Sequence, residues 1–158
     1  MCDNNLVILM GNPNVGKSSI FNRLTGDNQH TGNWTGKTVE CAEGKLKCNK
    51  DICIVDLPGI YTLCAANAEE ICSKNFLLQH KDALVIVVVD GNNIYKSLTL
   101  IEEVSNITSN VIICINQYKS ATKSGTKINI DKLKEILKIP IVTTEATDRS
   151  SLDILNNI

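Results

Sequence analysis

Aromatic side chains are scarce in this 158-residue chain: two Phe, three Tyr and one Trp make up 4% of it. That excludes a base-stacking platform for single-stranded nucleic acid. Charge of either sign is also lacking in excess. Sixteen Lys+Arg face seventeen Asp+Glu for a formal charge of −1, so no basic surplus exists to hold a phosphodiester backbone. Long hydrophobic runs are absent, and the longest, Ala83 to Val89, falls far short of the roughly 18–20 residues that span a bilayer. The residues after Met1, Cys2-Asp3-Asn4-Asn5, have neither the basic start nor the small-residue cleavage site of a secretory signal. Only two histidines are present, His30 and His80, and they stand far apart. What remains is an ordinary globular mixture, 43% hydrophobic and 21% charged, of the size of one domain.

Cysteine is the one unusual abundance. Seven are present, an odd number, in a chain large enough to fold without staples and with no sign of an oxidising compartment. Cys53 and Cys114 sit inside apolar runs, where a thiol behaves as a small hydrophobe. Cys48 and Cys53 are close in sequence, but no second Cys or His pair completes a zinc site. Reduced, mostly buried thiols are expected.

Short apolar runs alternate with helix-like stretches along the whole chain. Strands are expected at Leu6–Met10, Thr38–Cys48, Asp51–Asp56, Ala83–Asp90, Val111–Asn116 and Ile139–Thr143. Helices are expected from Lys17 to a stop at Gly26, over Ala68–His80, Ser97–Ser105 and Asp131–Leu137 with Asp131 as N-cap, and from Ser151. Residues 27–37, rich in Asn, Thr and Gly, read as a loop. Uninterrupted Leu84-Val85-Ile86-Val87-Val88-Val89 suits a central strand covered on both faces. The pattern predicts an α/β fold: a mostly parallel six-stranded sheet with helices on both faces. Ile158 comes after barely two turns of the last expected helix, as expected of a domain cut from a longer protein.

Gly11-Asn12-Pro13-Asn14-Val15-Gly16-Lys17-Ser18 fits G-x-x-x-x-G-K-[ST] at every constrained position, between a predicted strand and a predicted helix. Such a loop turns successive backbone N–H groups toward phosphates, and the helix adds the positive end of its dipole. Lys17 is expected to neutralise β- and γ-phosphate oxygens, Ser18 to ligate Mg²⁺, and Asn12, Pro13, Asn14, Val15, Gly16 and Ser19 to complete the cradle. Asp56-Leu57-Pro58-Gly59 closes a buried strand with Asp-x-x-Gly, which places a carboxylate near the metal and the Gly59 N–H near the γ-phosphate. Together the two motifs predict a P-loop nucleotide switch.

With these motifs in hand, nearly the whole chain resembles the GTPase domain of the bacterial ferrous iron transport protein B family. GNPNVGKSSIFNRLTG is similar to that family's first motif, Gly32–Glu40 (GNWTGKTVE) to its first switch and Val55–Leu63 (VDLPGIYTL) to its second. Val88–Leu100 (VVDGNNIYKSLTL) resembles its VVDA-type strand and the segment after it. The resemblance implies a small-GTPase-like P-loop fold that binds GTP and GDP with Mg²⁺ and hydrolyses GTP. It assigns Thr38 to the metal and γ-phosphate, and a potassium ion to Asn14 and the backbone carbonyls of Gly32 and Trp34. A fixed monovalent cation there would stabilise transition-state charge as an arginine finger does. Asn14 equally suits a turn, and Trp34 equally suits an anchor that packs the loop. It further implies residues 1–158 as a single G domain, the N-terminal cytoplasmic portion of an inner-membrane transporter. Partners would be that protein's helical and transmembrane regions, with a homo-oligomer through the full-length protein left open.

Two positions depart from common GTPase chemistry. Ile60 stands where many GTPases carry a water-orienting Gln, so slow hydrolysis is expected; no side chain is a convincing general base. Guanine is usually read by Asn-x-x-Asp, but here the motif is Asn116-Gln117-Tyr118-Lys119. An ammonium has only donors and cannot accept from guanine N1 and N2, a loss of about 2–4 kcal/mol of base-specific affinity. Weak GTP binding, relaxed use of ATP and GTP, or a position altered by engineering are the open readings. Glu145-Ala146-Thr147 falls where the family's last base-contacting loop would lie, with the Ala146 N–H toward O6. A nucleotide-binding regulatory module with negligible hydrolysis and an RNA-associated GTPase are the alternatives; neutral charge and Gly32-Asn33-Trp34 disfavour the second.

Overall fold

The structure, a computed structural model, describes residues 5–26, 29–33, 40–64 and 66–145. Among them β1 (Leu6–Gly11), β2 (Gln29–Asn33), β3 (Glu40–Lys45), β4 (Cys53–Asp56), β5 (Leu84–Asp90), β6 (Val111–Asn116) and β7 (Ile141–Thr143) form one sheet. Its strand order is β2-β3-β4-β1-β5-β6-β7. Pairing is parallel from β4 through β1, β5 and β6 to β7, and antiparallel on the β2-β3-β4 side. The expected mostly parallel sheet is present, with one strand more than the six expected. That strand is Gln29–Asn33, inside the stretch read as a loop. Its Gln-His-Thr-Gly-Asn sequence has no apolar alternation, and pairing with Cys41–Gly44 and Glu40 places it in the sheet.

Alternation along the strands divides the core between two faces. Ile8, Met10, Val55, Leu57, Val85, Val87, Val89, Ile113 and Ile115 share one cluster with α2 (Ala68–Gln79), α3 (Leu98–Ser105) and α5 (Ile130–Leu137). Leu9, Ile54, Ile86, Val88 and Cys114 share the other with Ile20, Phe21 and Leu24 of α1 (Lys17–Thr25). Val85 to Val89 are all buried, as a central strand with helices on both faces requires. Each such side chain contributes about 1.5–3 kcal/mol of burial.

Helix ends correct the sequence reading in three places. Ile94–Ser97 is a 3₁₀ turn that leads into α3, so the α-helix begins at Leu98. The cap of α5 is Asn129, whose side chain accepts from the Lys132 N–H, and Asp131 lies in the first turn. A short helix α4 (Tyr118–Lys123), unexpected from its Ser- and Thr-containing sequence, follows a left-handed Gln117. The helix expected from Ser151 lies outside the described residues.

Of the six described cysteines only Cys41, Cys72 and Cys114 are buried, where most were expected to be. Cys48 and Cys64 are exposed because they stand in the turns after β3 and after the Asp-x-x-Gly motif. Burial pushes the Cys114 thiol up to about 11. Burial, then the neighbouring Glu43 carboxylate, push Cys53 up to about 12. No cluster of His, Cys, Asp or Glu among the described residues could hold a metal, and no described helix is long and apolar enough to cross a membrane.

Candidate functional site

The site forms where β1 ends and α1 begins, at the carboxyl edge of the parallel strands. Asn14 and Gly16 both have positive φ, 67° and 86°, which bends the loop back over the first turn of α1. Gly16 is required twice over: its φ suits glycine, and a Cβ there would collide with the Asn116 amide. The loop lines a cavity of ≈ 460 Å³ with Asn12, Pro13, Asn14, Gly16, Lys17, Ser18, Ser19 and Gly59. Val15 instead turns inward, 4% exposed, and packs with Ile20 and Phe21. It anchors the loop and contributes backbone to it.

Lys17, on the cavity wall, forms a buried ion pair with Asp56 behind it, each 8% exposed. The Lys17 ammonium also donates to the Leu57 carbonyl at 2.5 Å. Ser18 Oγ donates to the other Asp56 oxygen at 3.1 Å. The two motifs identified 38 residues apart in sequence thus converge. A hydroxyl and a carboxylate side by side are hard oxygen donors of the kind Mg²⁺ selects. The Asn12 amide donates to the Lys96 carbonyl at 3.0 Å, while its Oδ1 is buried with no hydrogen-bond partner.

The segment after Asp56 is laid against the loop by main-chain bonds: Leu57 N–H to the Leu9 carbonyl and Ile60 N–H to the Gly11 carbonyl, each 3.1 Å. A Cβ on Gly59 would lie 2.9 Å from Pro13 Cα, so the glycine permits this close approach. Ile60 is 2% exposed and points into the core, away from the cavity.

On the far side, Asn116 is fully buried, and its amide donates to the Val15 carbonyl at 2.9 Å. Its oxygen accepts from Thr144 Oγ1 at 3.4 Å. Gln117 accepts from the Asn92 amide at 3.3 Å, and Lys119 is exposed in the first turn of α4. Glu145 follows β7 and accepts from the Ser120 N–H and hydroxyl at 3.3 and 3.1 Å. Of the residues assigned by resemblance, Gly32 lies within β2, while Trp34, Thr38, Ala146 and Thr147 lie outside the described residues.

Sequence reasoning missed Glu103 of α3. Its carboxylate accepts from Thr62 Oγ1 at 2.7 Å, the Leu63 N–H at 2.6 Å and the Cys64 thiol at 3.5 Å. It fastens the chain just beyond Gly59 to a helix, and no local pattern in Leu98–Ser105 signals this.

A family model described as ferrous iron transport protein B matches residues 5–158. Among curated relatives, the Fe(2+) transporter FeoB of Staphylococcus aureus strain MSSA476 is 37% identical over 151 residues, which is 95% of this chain and 23% of the relative. The Helicobacter pylori strain 26695 protein of the same name is likewise 37% identical over 151 residues. The chain thus spans about a quarter of the length of these relatives. Among solved structures, the G domain of the T. maritima FeoB iron transporter is 38% identical with a TM-score of 0.86, covering 96% of this chain and 94% of that one. The T. maritima FeoB cytosolic domain in its GMPPNP form is 39% identical with a TM-score of 0.87, covering 96% of this chain and 61% of that one. Motifs, sheet order and these matches agree, and the chain belongs to the ferrous iron transport protein B (FeoB) family, to whose G domain it corresponds.

Proposed function

We propose that this chain is a guanine-nucleotide switch domain that binds GTP and GDP with Mg²⁺ and hydrolyses GTP slowly. The observation that carries it is that Lys17 and Ser18, which line the phosphate-loop cavity, both bond the Asp56 carboxylate of the second motif. Relatives solved in GDP and GMPPNP forms support the same ligand class. The α1 N-terminus and the loop N–H groups hold the phosphates, and Lys17 exchanges its pairing with Asp56 for phosphate oxygens. Ser18 and Asp56 would hold Mg²⁺, which when bound neutralises phosphate charge. Thr38 is its further ligand by resemblance.

Gly59, beside Pro13, offers its N–H to the γ-phosphate, so the second switch reports on whether that phosphate is present. Burial of Ile60 leaves no side chain at that position to orient water, hence slow turnover. Asn14 lines the cavity from an exposed position and offers a neutral oxygen to a monovalent cation. By resemblance, base recognition falls to Asn116, Gln117, Lys119 and Glu145 and to the Ala146-Thr147 positions of the sequence. The domain serves as the N-terminal cytoplasmic part of a longer ferrous iron transporter at the inner membrane, coupled to that protein's helical and membrane-spanning regions.

Titration of fluorescent GDP and GTP analogues into the wild type, Lys17→Ala and Ser18→Ala, with circular dichroism on each, tests the reading. Binding in the wild type and its loss in both folded variants is expected. Near-normal affinity in both variants overturns it. Phosphate release by the wild type separates a hydrolase from a binding module.

A further inference from the structure

We propose that Glu103 of α3 is a positioning residue for the γ-phosphate side of the site: by holding Thr62 to Cys64 it sets the gap between Gly59 and the phosphate loop. The inference rests on the guanine-nucleotide reading above and deepens it. The gap is narrow, since a Cβ on Gly59 would lie 2.9 Å from Pro13 Cα and 3.1 Å from its nitrogen. A γ-phosphate that accepts from the Gly59 N–H needs that group at a set distance from the loop. Whatever holds Gly59 there in advance spares the nucleotide the cost of ordering it.

Upstream, main-chain bonds do the holding: Leu57 N–H donates to the Leu9 carbonyl and Ile60 N–H to the Gly11 carbonyl. Downstream, β4 has ended at Asp56, and Tyr61 to Cys64 take no place in a described strand pair. Leu63 is 3% exposed, and a buried N–H needs an acceptor. One side chain supplies it. Glu103 Oε2 accepts from the Leu63 N–H at 2.6 Å, and Oε1 accepts from the Thr62 hydroxyl at 2.7 Å and the Cys64 thiol at 3.5 Å. Thr62 Oγ1 also accepts from the Cys64 N–H at 3.2 Å, which closes the chain into a turn at the carboxylate. Gly59 and Thr62 are three peptide units apart, at most about 11 Å of chain. Gly59 cannot withdraw far from Pro13 while Glu103 keeps these bonds.

The carboxylate stands on a mount that also reaches the phosphate loop. Leu100, Ile101 and Val104 of α3 are at most 2% exposed, which fixes the helix on the sheet. The 3₁₀ turn Ile94–Ser97 leads into α3, and its Lys96 carbonyl accepts from the amide of Asn12, the residue before Pro13. The unit from Ile94 to Ser105 therefore grips the loop at one end and the second switch at the other, a few residues from either side of the Pro13–Gly59 gap. A charged acceptor on a packed helix holds such a geometry more firmly than a neutral one on a loop. Without it, GTP must order Thr62–Cys64 at the expense of its own affinity. GDP, which has no γ-phosphate for Gly59 to meet, bears no such cost.

Calorimetric titration of GDP and GMPPNP, with Mg²⁺, tests this in the wild type, Glu103→Ala, Thr62→Val, Thr62→Ser and the Glu103→Ala/Thr62→Val double variant. The expected result for Glu103→Ala is a loss of about fivefold or more for GMPPNP and less than about twofold for GDP. Thr62→Val should shift the ratio in the same direction, and Thr62→Ser, which keeps the hydroxyl, should restore it. The double variant should lose less than the product of the single losses, because both remove one contact. A merely structural role would lower the melting temperature and weaken both nucleotides by the same factor. A GMPPNP/GDP ratio within twofold of wild type in Glu103→Ala therefore overturns the proposal, as do fully additive losses. If Glu103→Ala does not fold, a wild-type ratio in Thr62→Val overturns it instead. A wild type that binds neither nucleotide overturns the guanine-nucleotide reading as well, whereas an unmoved ratio in variants that bind both leaves that reading intact.

Discussion

The Asn116 side-chain amide and the Val15 carbonyl, 101 residues apart in sequence, meet at 2.9 Å and join the end of β6 to the phosphate loop. Asn116 is fully buried, so this bond has no water to replace it. Asn116→Ala removes the donor and opens a cavity beside Gly16, whose backbone lies against the same amide. A loss of about 1–3 kcal/mol in stability is expected from the unmet carbonyl. Nucleotide affinity should fall with it, because the loop loses its brace. Chemical denaturation and GDP titration check both. An Asn116→Ala protein with wild-type stability and affinity would show that the bond is incidental.

Gly59 and Pro13 make the second junction. A methyl group at 59 must displace the Pro13 backbone, since 2.9 Å is closer than Cβ atoms approach. Gly59→Ala is therefore expected to weaken GTP-analogue binding at least tenfold and GDP binding much less, because this contact sets the distance between the second switch and the γ-phosphate. Parallel titrations of GDP and a non-hydrolysable GTP analogue decide it; equal losses would place the strain in the phosphate loop alone.

These junctions explain what was and was not legible beforehand. The phosphate loop and Asp-x-x-Gly are contiguous motifs with fixed spacing, so Lys17, Ser18 and Asp56 could be named and their meeting anticipated. The parallel core was legible because Leu84–Val89 is uninterrupted, strand-length and mostly β-branched. Gln29–Asn33 became a strand only through its partner β3, a tertiary choice that its polar sequence does not announce. Tyr118–Lys123, six residues with one buried position, is too short for an apolar period to show. Glu103 and the Asn116–Val15 bond act across long separations and leave no local pattern.

Glu103 also gives the site an acid limit. Burial pushes its carboxyl up, but bonds from Leu63, Thr62 and Cys64, with nearby Lys74, prevail and hold it below its ordinary 4.5. Because the native value is the lower one, the stabilisation is complete above about pH 4.5 and is lost as pH falls through the native value. Glu103→Gln should melt below wild type at pH 7, and the gap should shrink as pH drops under 4.5. Thermal melts of both proteins across that range check the sign; a gap independent of pH would mean the carboxylate's charge is not what fastens Thr62 to Cys64.

Asn14 supports the last expectation. It occupies an exposed, left-handed position on the rim of the phosphate cavity, and its side chain carries a neutral oxygen suited to a monovalent cation. With Ile60 turned into the core, positive charge added to that of Lys17 beside the phosphates is one means of stabilising the transition state. Hydrolysis should therefore run at least several-fold faster in potassium than in sodium at matched ionic strength. Asn14→Ala should abolish the difference while leaving GDP affinity within a few-fold of wild type, since Lys17, Ser18 and the loop N–H groups still hold the phosphates. Steady-state phosphate release in the two salts, for both proteins, measures this. Equal wild-type rates would remove the cation from the mechanism, and a potassium response that survives in Asn14→Ala would remove Asn14 as its ligand.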